Sequence, residues 1–310
     1  MSLRSLSCRP PHLSAVAKAP EFVSFHADRP PGIDGVHPNA NLQSQGYMRM
    51  LDLLFRSARL FHRGAVCTLL TSQETRVNGV RGPLRRLNLP IDHQALMLSR
   101  SQAQLACVER SDFVRPLVLL DSDILIRGSL QPLFAEDFDV ALTWRTNKTM
   151  PINGGFLVLH NRRPEVGRAF FRRFLQIYRE RYAVGSNAGW YGDQLALHDL
   201  VGISHKEIHK HERVERDGCR IRLLPCEVYN FSPDNQLAAI QNGLPDKVVL
   251  HFKGQRKRLM EPFWQCFLEP RAAWWPFANR NARTALQRLT AAAIAESNAP
   301  AATDGAEADA

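Results

Sequence analysis

Two aspartates one residue apart close an apolar run: Pro116-Leu-Val-Leu-Leu120 leads straight into Asp121-Ser122-Asp123. An uninterrupted apolar segment of this length reads as a strand buried on both faces, which belongs in a parallel or mixed sheet covered by helices. In open α/β sheets, ligands collect at the carboxyl ends of such strands. Residues i and i+2 of an extended chain point to opposite faces, but where a strand turns, both carboxylates can swing toward one divalent cation. Mg²⁺ and Mn²⁺ favour carboxylate, water and phosphate oxygens, so the pair is a candidate clamp for a nucleotide diphosphate. The plainer alternative is that Asp121 and Asp123 only cap the turn before Gly128.

A second run, Val248-Val-Leu-His251-Phe252, also ends in polar chemistry. Its imidazole can complete an octahedral metal shell. Lys253, Arg256, Lys257 and Arg258 follow, with Gly254 easing a turn. Lys and Arg hold diphosphate oxygens, Arg as a bidentate fork. The competing reading is a basic loop exposed to water. A third segment, Asn153-Gly154-Gly155, precedes an apolar stretch to Leu159. Paired glycines let a ligand approach the backbone, and Asn153 offers both a donor and an acceptor; an ordinary Asn-Gly turn is the alternative. A fourth, Tyr191-Gly192-Asp193-Gln194, heads a predicted helix. Asp193 is either its N-cap or, with Gln194, a contact for a polyhydroxyl ligand.

The elements that must hold these groups alternate. Strands are predicted at Glu21–His26, Val66–Leu70, Pro116–Leu120, Asp139–Thr143, Gly155–Leu159, Ile221–Leu224 and Val248–Phe252. Helices are predicted from Leu42 to Leu60, with Leu51, Leu54, Phe55 and Ala58 at helical spacing, over Gln94–Glu109, over Val166–Tyr182 and over Trp190–Leu200. The helix at 166–182 is amphipathic, with Phe170, Phe171, Phe174, Ile177 and Tyr178 inward and Arg168, Arg172, Arg173, Arg179 and Arg181 on a solvated face. Asp28–Asn41 and the Gly/Pro-broken, Arg-rich residues 76–90 read as loops. Such alternation defines an α/β class. With no internal repeat and no clear linker, the expected organisation is an extended leader over 1–20, one catalytic domain over 21–290 and a disordered acidic tail over 291–310.

Composition narrows the partners. The chain has 310 residues and a formal charge of +10. Residues 291–310 hold Glu296, Asp304, Glu307 and Asp309 and no base, so residues 1–290 carry +14. Such an excess suits an anionic partner. The Arg residues are dispersed, and no compact motif with base-stacking aromatics is visible, so no specific nucleic-acid partner is expected. No apolar run reaches the roughly 20 residues that a membrane span needs, and the first 20 residues lack the apolar core of a secretory signal. The six cysteines contain no Cys-x-x-Cys and read as reduced thiols. A cytoplasmic protein without a transmembrane segment follows.

It is the set, in this order, that resembles a known family. Asp121 and Asp123 after an apolar strand, Asn153 to Leu159, Asp193-Gln194, and His251-x-x-Gly254-x-x-Lys257 are similar to the motifs of GT-A-type nucleotide-sugar glycosyltransferases. The likeness is to the retaining family of glycogenin and the bacterial lipopolysaccharide galactosyl- and glucosyltransferases, and it runs from about residue 94 to 258. It implies a GT-A fold, a central mixed, mostly parallel sheet flanked by helices. It implies a Mn²⁺ or Mg²⁺ site at Asp121, Asp123 and His251, with Ser122 between them. Lys257 and the Gly254 backbone would contact the diphosphate of a donor such as a UDP-hexose. Asn153, Gly154, Asp193 and Gln194 would meet the sugar, Asp193 and Gln194 as the catalytic pair that orients it. Phe25, His26 and Asp28 would hold base and ribose, with Arg100 assisting. The hydroxyl acceptor would be a glycan, a lipid-linked glycan or a protein. Two departures stand out: Arg258-Leu259 replaces the family's Pro-Trp, and Pro30-Pro31 interrupt the first loop.

Three other readings compete. A haloacid-dehalogenase-like phosphatase also ends an apolar strand in Asp-x-Asp, with one Asp as nucleophile and the other as acid/base. A non-catalytic glycosyltransferase-like scaffold and an anion-binding module also fit the charge. Trp264, Phe267, Trp274, Trp275 and Phe277 are expected to pack against the sheet; a sugar-stacking acceptor platform, or with Arg271, Arg280, Arg283 and Arg288 a peripheral membrane contact, are the alternatives.

Overall fold

The computed structural model describes residues 18–28, 44–183, 191–233, 237–272 and 280–298. The expected leader falls outside these up to residue 17, as do most of the first loop, Trp190, Trp274, Trp275, Phe277 and residues 299–310.

Eight strands form one sheet: β1 (Glu21–Phe25), β2 (Val66–Thr71), β3 (Arg85–Asn88), β4 (Leu117–Leu120), β6 (Val140–Trp144), β7 (Ile152–Leu159), β8 (Arg213–Arg216) and β9 (Cys219–Pro225). Their order is β3-β2-β1-β4-β7-β6-β9-β8. The pairings among β3, β2, β1 and β4 are parallel, as is β6 with β9, while β7 runs antiparallel to both neighbours and β8 antiparallel to β9. β5 (Ile124–Ile126) and β10 (Val249–His251) form a separate antiparallel pair. This mixed, mostly parallel sheet flanked by helices is the GT-A-type α/β architecture expected from the sequence.

The apolar run at Leu117–Leu120 is buried at every position because helices cover both faces. On one face Leu117, Leu119, Leu157 and Leu159 pack against α2 (Leu96–Arg110), α4 (Pro164–Ile177) and α5 (Gly192–Val201). On the other, Val118, Leu120, Phe156 and Val158 meet α1 (Ser44–Phe61) and α3 (Gln131–Ala135). Alternate strand residues thus feed alternate cores. α4 buries Phe170, Phe171 and Phe174 and exposes Arg172 and Arg173, as its periodicity predicts; it then widens into a π turn at Tyr178–Tyr182. A third core lies behind β5 and β10, where α7 (Lys257–Phe263) and α9 (Arg280–Asn298) pack with the short α6 (Cys226–Tyr229) and α8 (Glu269–Ala272) nearby.

Some expectations change. Residues 76–90 are not all loop, because β3 forms there as an exposed edge strand beside β2; four polar-rich residues carry no alternation to announce it. β8 closes the opposite edge in the same way. α9 runs to Asn298, with Thr290 and Ala293 buried. Trp264 is fully buried under the Arg56 guanidinium, which lies 4.5 Å from its ring centroid, so it is a packing residue and not an acceptor platform. Cys67, Cys107, Cys219, Cys226 and Cys266 are buried and free. Among the described residues no helix is long and apolar enough to cross a membrane.

Candidate active site

β4 ends in a tight turn that carries Asp121, Ser122 and Asp123, and β5 begins directly after it. The turn is pinned on both sides: Asp121 N–H donates to the Gly155 carbonyl at 3.0 Å, and Phe252 N–H donates to the Asp123 carbonyl at 2.9 Å. Antiparallel pairing sets His251 opposite Ile124, next to Asp123. Residues 128 positions apart thereby meet. His251 Nε2 lies 3.1 Å from Asp123 Oδ1 and 3.6 Å from Asp121 Oδ2. Ligand atoms from the three residues all fall within 4.8 Å of one another.

That spacing fits a small hard cation. An octahedron with bonds of 2.0–2.1 Å separates neighbouring ligands by about 3 Å and opposite ones by about 4 Å. Two carboxylates and an imidazole are also a donor set that can hold a divalent cation. Burial alone would raise the Asp123 carboxyl, but His251 and Lys257 outweigh it and hold it down to about 2, so it is ionised at neutral pH.

Asp193 sits on the first turn of α5, whose N-cap is Tyr191, so the capping reading fails. Its carboxylate turns inward. Arg100 of α2 donates from Nη2 to Asp193 Oδ2 at 2.6 Å and from Nη1 to Asp121 Oδ1 at 2.5 Å, joining the two acids with one guanidinium. Burial pushes the Asp193 carboxyl up against the pull of Arg100. Its other oxygen, Oδ1, is buried with no hydrogen-bond partner. Gln194 accepts from Arg145 Nη2 at 3.1 Å, and Arg145 is anchored through Nε on the Met150 carbonyl.

The two glycines make room for side chains of the protein itself. A β-carbon on Gly154 would lie 2.9 Å from Asp193 Oδ2, and one on Gly155 would lie 2.5 Å from His251 Cε1. They are not a turn: both belong to β7, at a register shift against β6, and bulges of this kind commonly re-aim residues near active sites.

The basic segment is likewise not a solvated loop. Lys253, Arg256, Lys257 and Arg258 are all half-buried, and α7 starts at Lys257. Gly254 has φ +53°, a conformation that favours glycine. Lys257 Nζ stands 3.7 Å from Asp123 Oδ2 and 5.4 Å from the Tyr47 ring centroid. Tyr47 stacks on His26 at 5.1 Å, and His26 meets Asp28 at 3.2 Å. Burial lowers the His26 pKa against the opposing pull of Asp28, leaving a neutral ring at pH 7.

These groups surround one cavity of about 500 Å³, at the carboxyl ends of β1 and β4. Such a volume is ordinary for a small-molecule site. Phe25, His26, Asp28, Arg100, Asp121, Ser122, Asp123, Asn153, Gly154, Asp193, Gln194, His251, Gly254 and Lys257 all line it, whereas Arg256 and Arg258 of the basic segment do not. Sequence reasoning missed Tyr47 and Arg145, which also line it, and Asn230 behind His251. Arg145 follows β6 at its carboxyl end, where the strand-end rule would have found it. Asn230 has no local motif.

No protein-family model and no curated protein sequence matches the chain. Among solved structures, it is similar to the glycosyltransferase GlyE of Streptococcus pneumoniae TIGR4, at 17% identity and a TM-score of 0.48, over 90% of this chain and 64% of that one. The chain therefore spans less than two thirds of GlyE. It is also similar to the galactosyltransferase LgtC, solved with donor and acceptor sugar analogs, at 13% identity and a TM-score of 0.44, over 88% of this chain and 95% of the other. A glycosyltransferase involved in glycosylation of the major capsid of PBCV-1 is 14% identical with a TM-score of 0.45, over 78% of this chain and 98% of the other.

Proposed function

We propose that this protein is a divalent-metal-dependent glycosyltransferase that moves a hexose from a nucleoside-diphosphate sugar, most simply a UDP-sugar, to a hydroxyl acceptor with retention. The observation that carries this reading is the convergence of Asp121, Asp123 and His251 beside a cavity that also holds Lys257 and Asp193. The three ligands would hold Mn²⁺ or Mg²⁺, which supplies charge neutralisation to a leaving diphosphate. Breaking the anomeric C–O bond sends negative charge onto that diphosphate. Lys257, close to Asp123 Oδ2, brings a fixed positive charge to the same place.

At the sugar end, Asp193 and Gln194 are held by Arg100 and Arg145 and face the cavity. Both side chains orient the sugar in this reading and do not attack it. The leaving phosphate oxygen then takes the acceptor proton from the same face. Phe25, His26, Tyr47 and Asp28 offer the cavity wall for base and ribose. The reading takes residues 21–290 as one catalytic domain, since its site draws on residues from Phe25 to Lys257. Buried, unpaired cysteines go with a reducing, cytoplasmic setting.

Calorimetry with a panel of nucleotide sugars, with and without Mn²⁺, tests the proposal. Metal-dependent binding that D123A abolishes is the expected result. Binding indifferent to metal, or hydrolysis of simple phosphate esters without any nucleotide sugar, would overturn it. NMR of the product anomer decides retention.

A further inference from the structure

His251 is held from behind by a closed chain of buried hydrogen bonds whose directions are all determined. It starts at backbone groups, which have no freedom of role. Gly155 N–H donates to Asn153 Oδ1 at 2.9 Å, so that oxygen is an acceptor. Thr143 Oγ1 donates its proton to the Asn153 carbonyl at 3.0 Å, leaving its lone pairs to accept. Asn230 Nδ2 reaches both acceptors, Asn153 Oδ1 at 2.8 Å and Thr143 Oγ1 at 2.9 Å. The amide of Asn230 therefore has its nitrogen on this side and its oxygen on the other. That oxygen lies 2.8 Å from His251 Nδ1. An amide oxygen only accepts, so Nδ1 must carry a proton. Asn230, Asn153 and His251 are 1%, 4% and 4% exposed, so water does not compete for these bonds.

We infer that Asn230 is a positioning residue that fixes the proton of His251 on Nδ1 and aims Nε2 at the carboxylates of Asp121 and Asp123. With the Nδ1 proton fixed, Nε2 is the nitrogen that faces the oxygens 3.1 and 3.6 Å away. The ring nitrogen opposite a metal is commonly oriented by such an outer partner, and losing that partner weakens metal binding by about 10- to 100-fold. The metal part of this inference rests on the proposed cation site; the tautomer part does not.

The test uses the full chain with ¹⁵N-labelled histidine, the His251 signals being identified by their loss in His251→Gln. Nδ1 of wild type is expected to show a directly bonded proton both without metal and with Mg²⁺. In Asn230→Ala this signature is lost, and the calorimetric Mn²⁺ affinity falls about 10- to 100-fold. Asn230→Asp retains an acceptor for Nδ1 and is expected to keep the signature, which separates positioning from loss of packing. A neutral wild-type ring protonated on Nε2 with a bare Nδ1, or an unchanged Nδ1 signature in Asn230→Ala, overturns the inference. If wild type binds no divalent cation, the cation site falls, and the ¹⁵N spectra still decide the role of Asn230.

Discussion

The imidazole of His251 lies over Gly155, in the space where any other residue would carry its β-carbon. A β-carbon there would sit 2.5 Å from Cε1 and 2.8 Å from Nδ1, and a rigid ring pinned by Asn230 cannot yield as a flexible side chain would. Gly155→Ala is therefore expected to turn His251 away from the two aspartates. Mn²⁺ affinity, read by calorimetry, should fall by at least about tenfold, with far-ultraviolet circular dichroism unchanged. Wild-type affinity in this variant would show that the ring has room to spare.

Arg100 holds two acids at once. Removing it as Arg100→Met leaves the buried Asp193 without its countercharge, and removing one partner of a buried pair costs about 3–5 kcal/mol. Urea unfolding should report that loss. Arg100→Lys should recover only part of it, because one ammonium cannot reproduce the planar fork that reaches Asp121 and Asp193 together.

If the cation binds only the folded chain, it stabilises that chain. Mn²⁺ at 100 times its dissociation constant should add about 2.7 kcal/mol, and EDTA should remove it. Asp123→Ala should show the same urea midpoint in Mn²⁺ and in EDTA. A midpoint that Mn²⁺ still raises in this variant would place the ion elsewhere.

Part of the acid sensitivity should come from a site remote from the cavity. Asp139 is fully buried at the start of β6, where burial would raise its pKa, but hydrogen bonds from Arg163 and Arg220 hold it at about 2. A carboxyl lowered in the folded state stabilises above its unfolded value of 3.8, and that contribution drains away as pH falls from about 4 through 2. Asp139→Asn should cost about 1.5–3 kcal/mol at pH 7 and should make stability fall less steeply across that acid window, leaving the share of Asp123. An equal acid dependence in wild type and variant would assign the sensitivity to other carboxylates.

The cavity residues were legible because their signal is local. An apolar run ending in Asp121-Ser-Asp123, and another ending in His251, each announce a strand end at which a ligand sits. What could not be read was anything decided by a partner distant in sequence. Gly154 and Gly155 looked like space for a ligand, and only their neighbours Asp193 and His251 reveal whose space it is. Asn230 ends a one-turn helix with no motif around it, and its value comes from Thr143, Asn153 and His251 gathering about it. The strands Arg85–Asn88 and Arg213–Arg216 lack apolar alternation because each is half solvated, so backbone pairing alone made them visible.

Those same two strands finish the eight-stranded sheet, and each shows arginine to water: Arg85 and Arg86 at one margin, Arg213 at the other. A further copy of the chain adding itself along Arg85–Asn88, which carries no acid, would have to bring guanidinium groups side by side, whereas Glu215 interrupts the positive charge of the other margin. Growth of the sheet from molecule to molecule is thus opposed by like-charge repulsion, which should keep concentrated solutions free of ribbon-like polymers at low salt and make added salt the condition under which they first form.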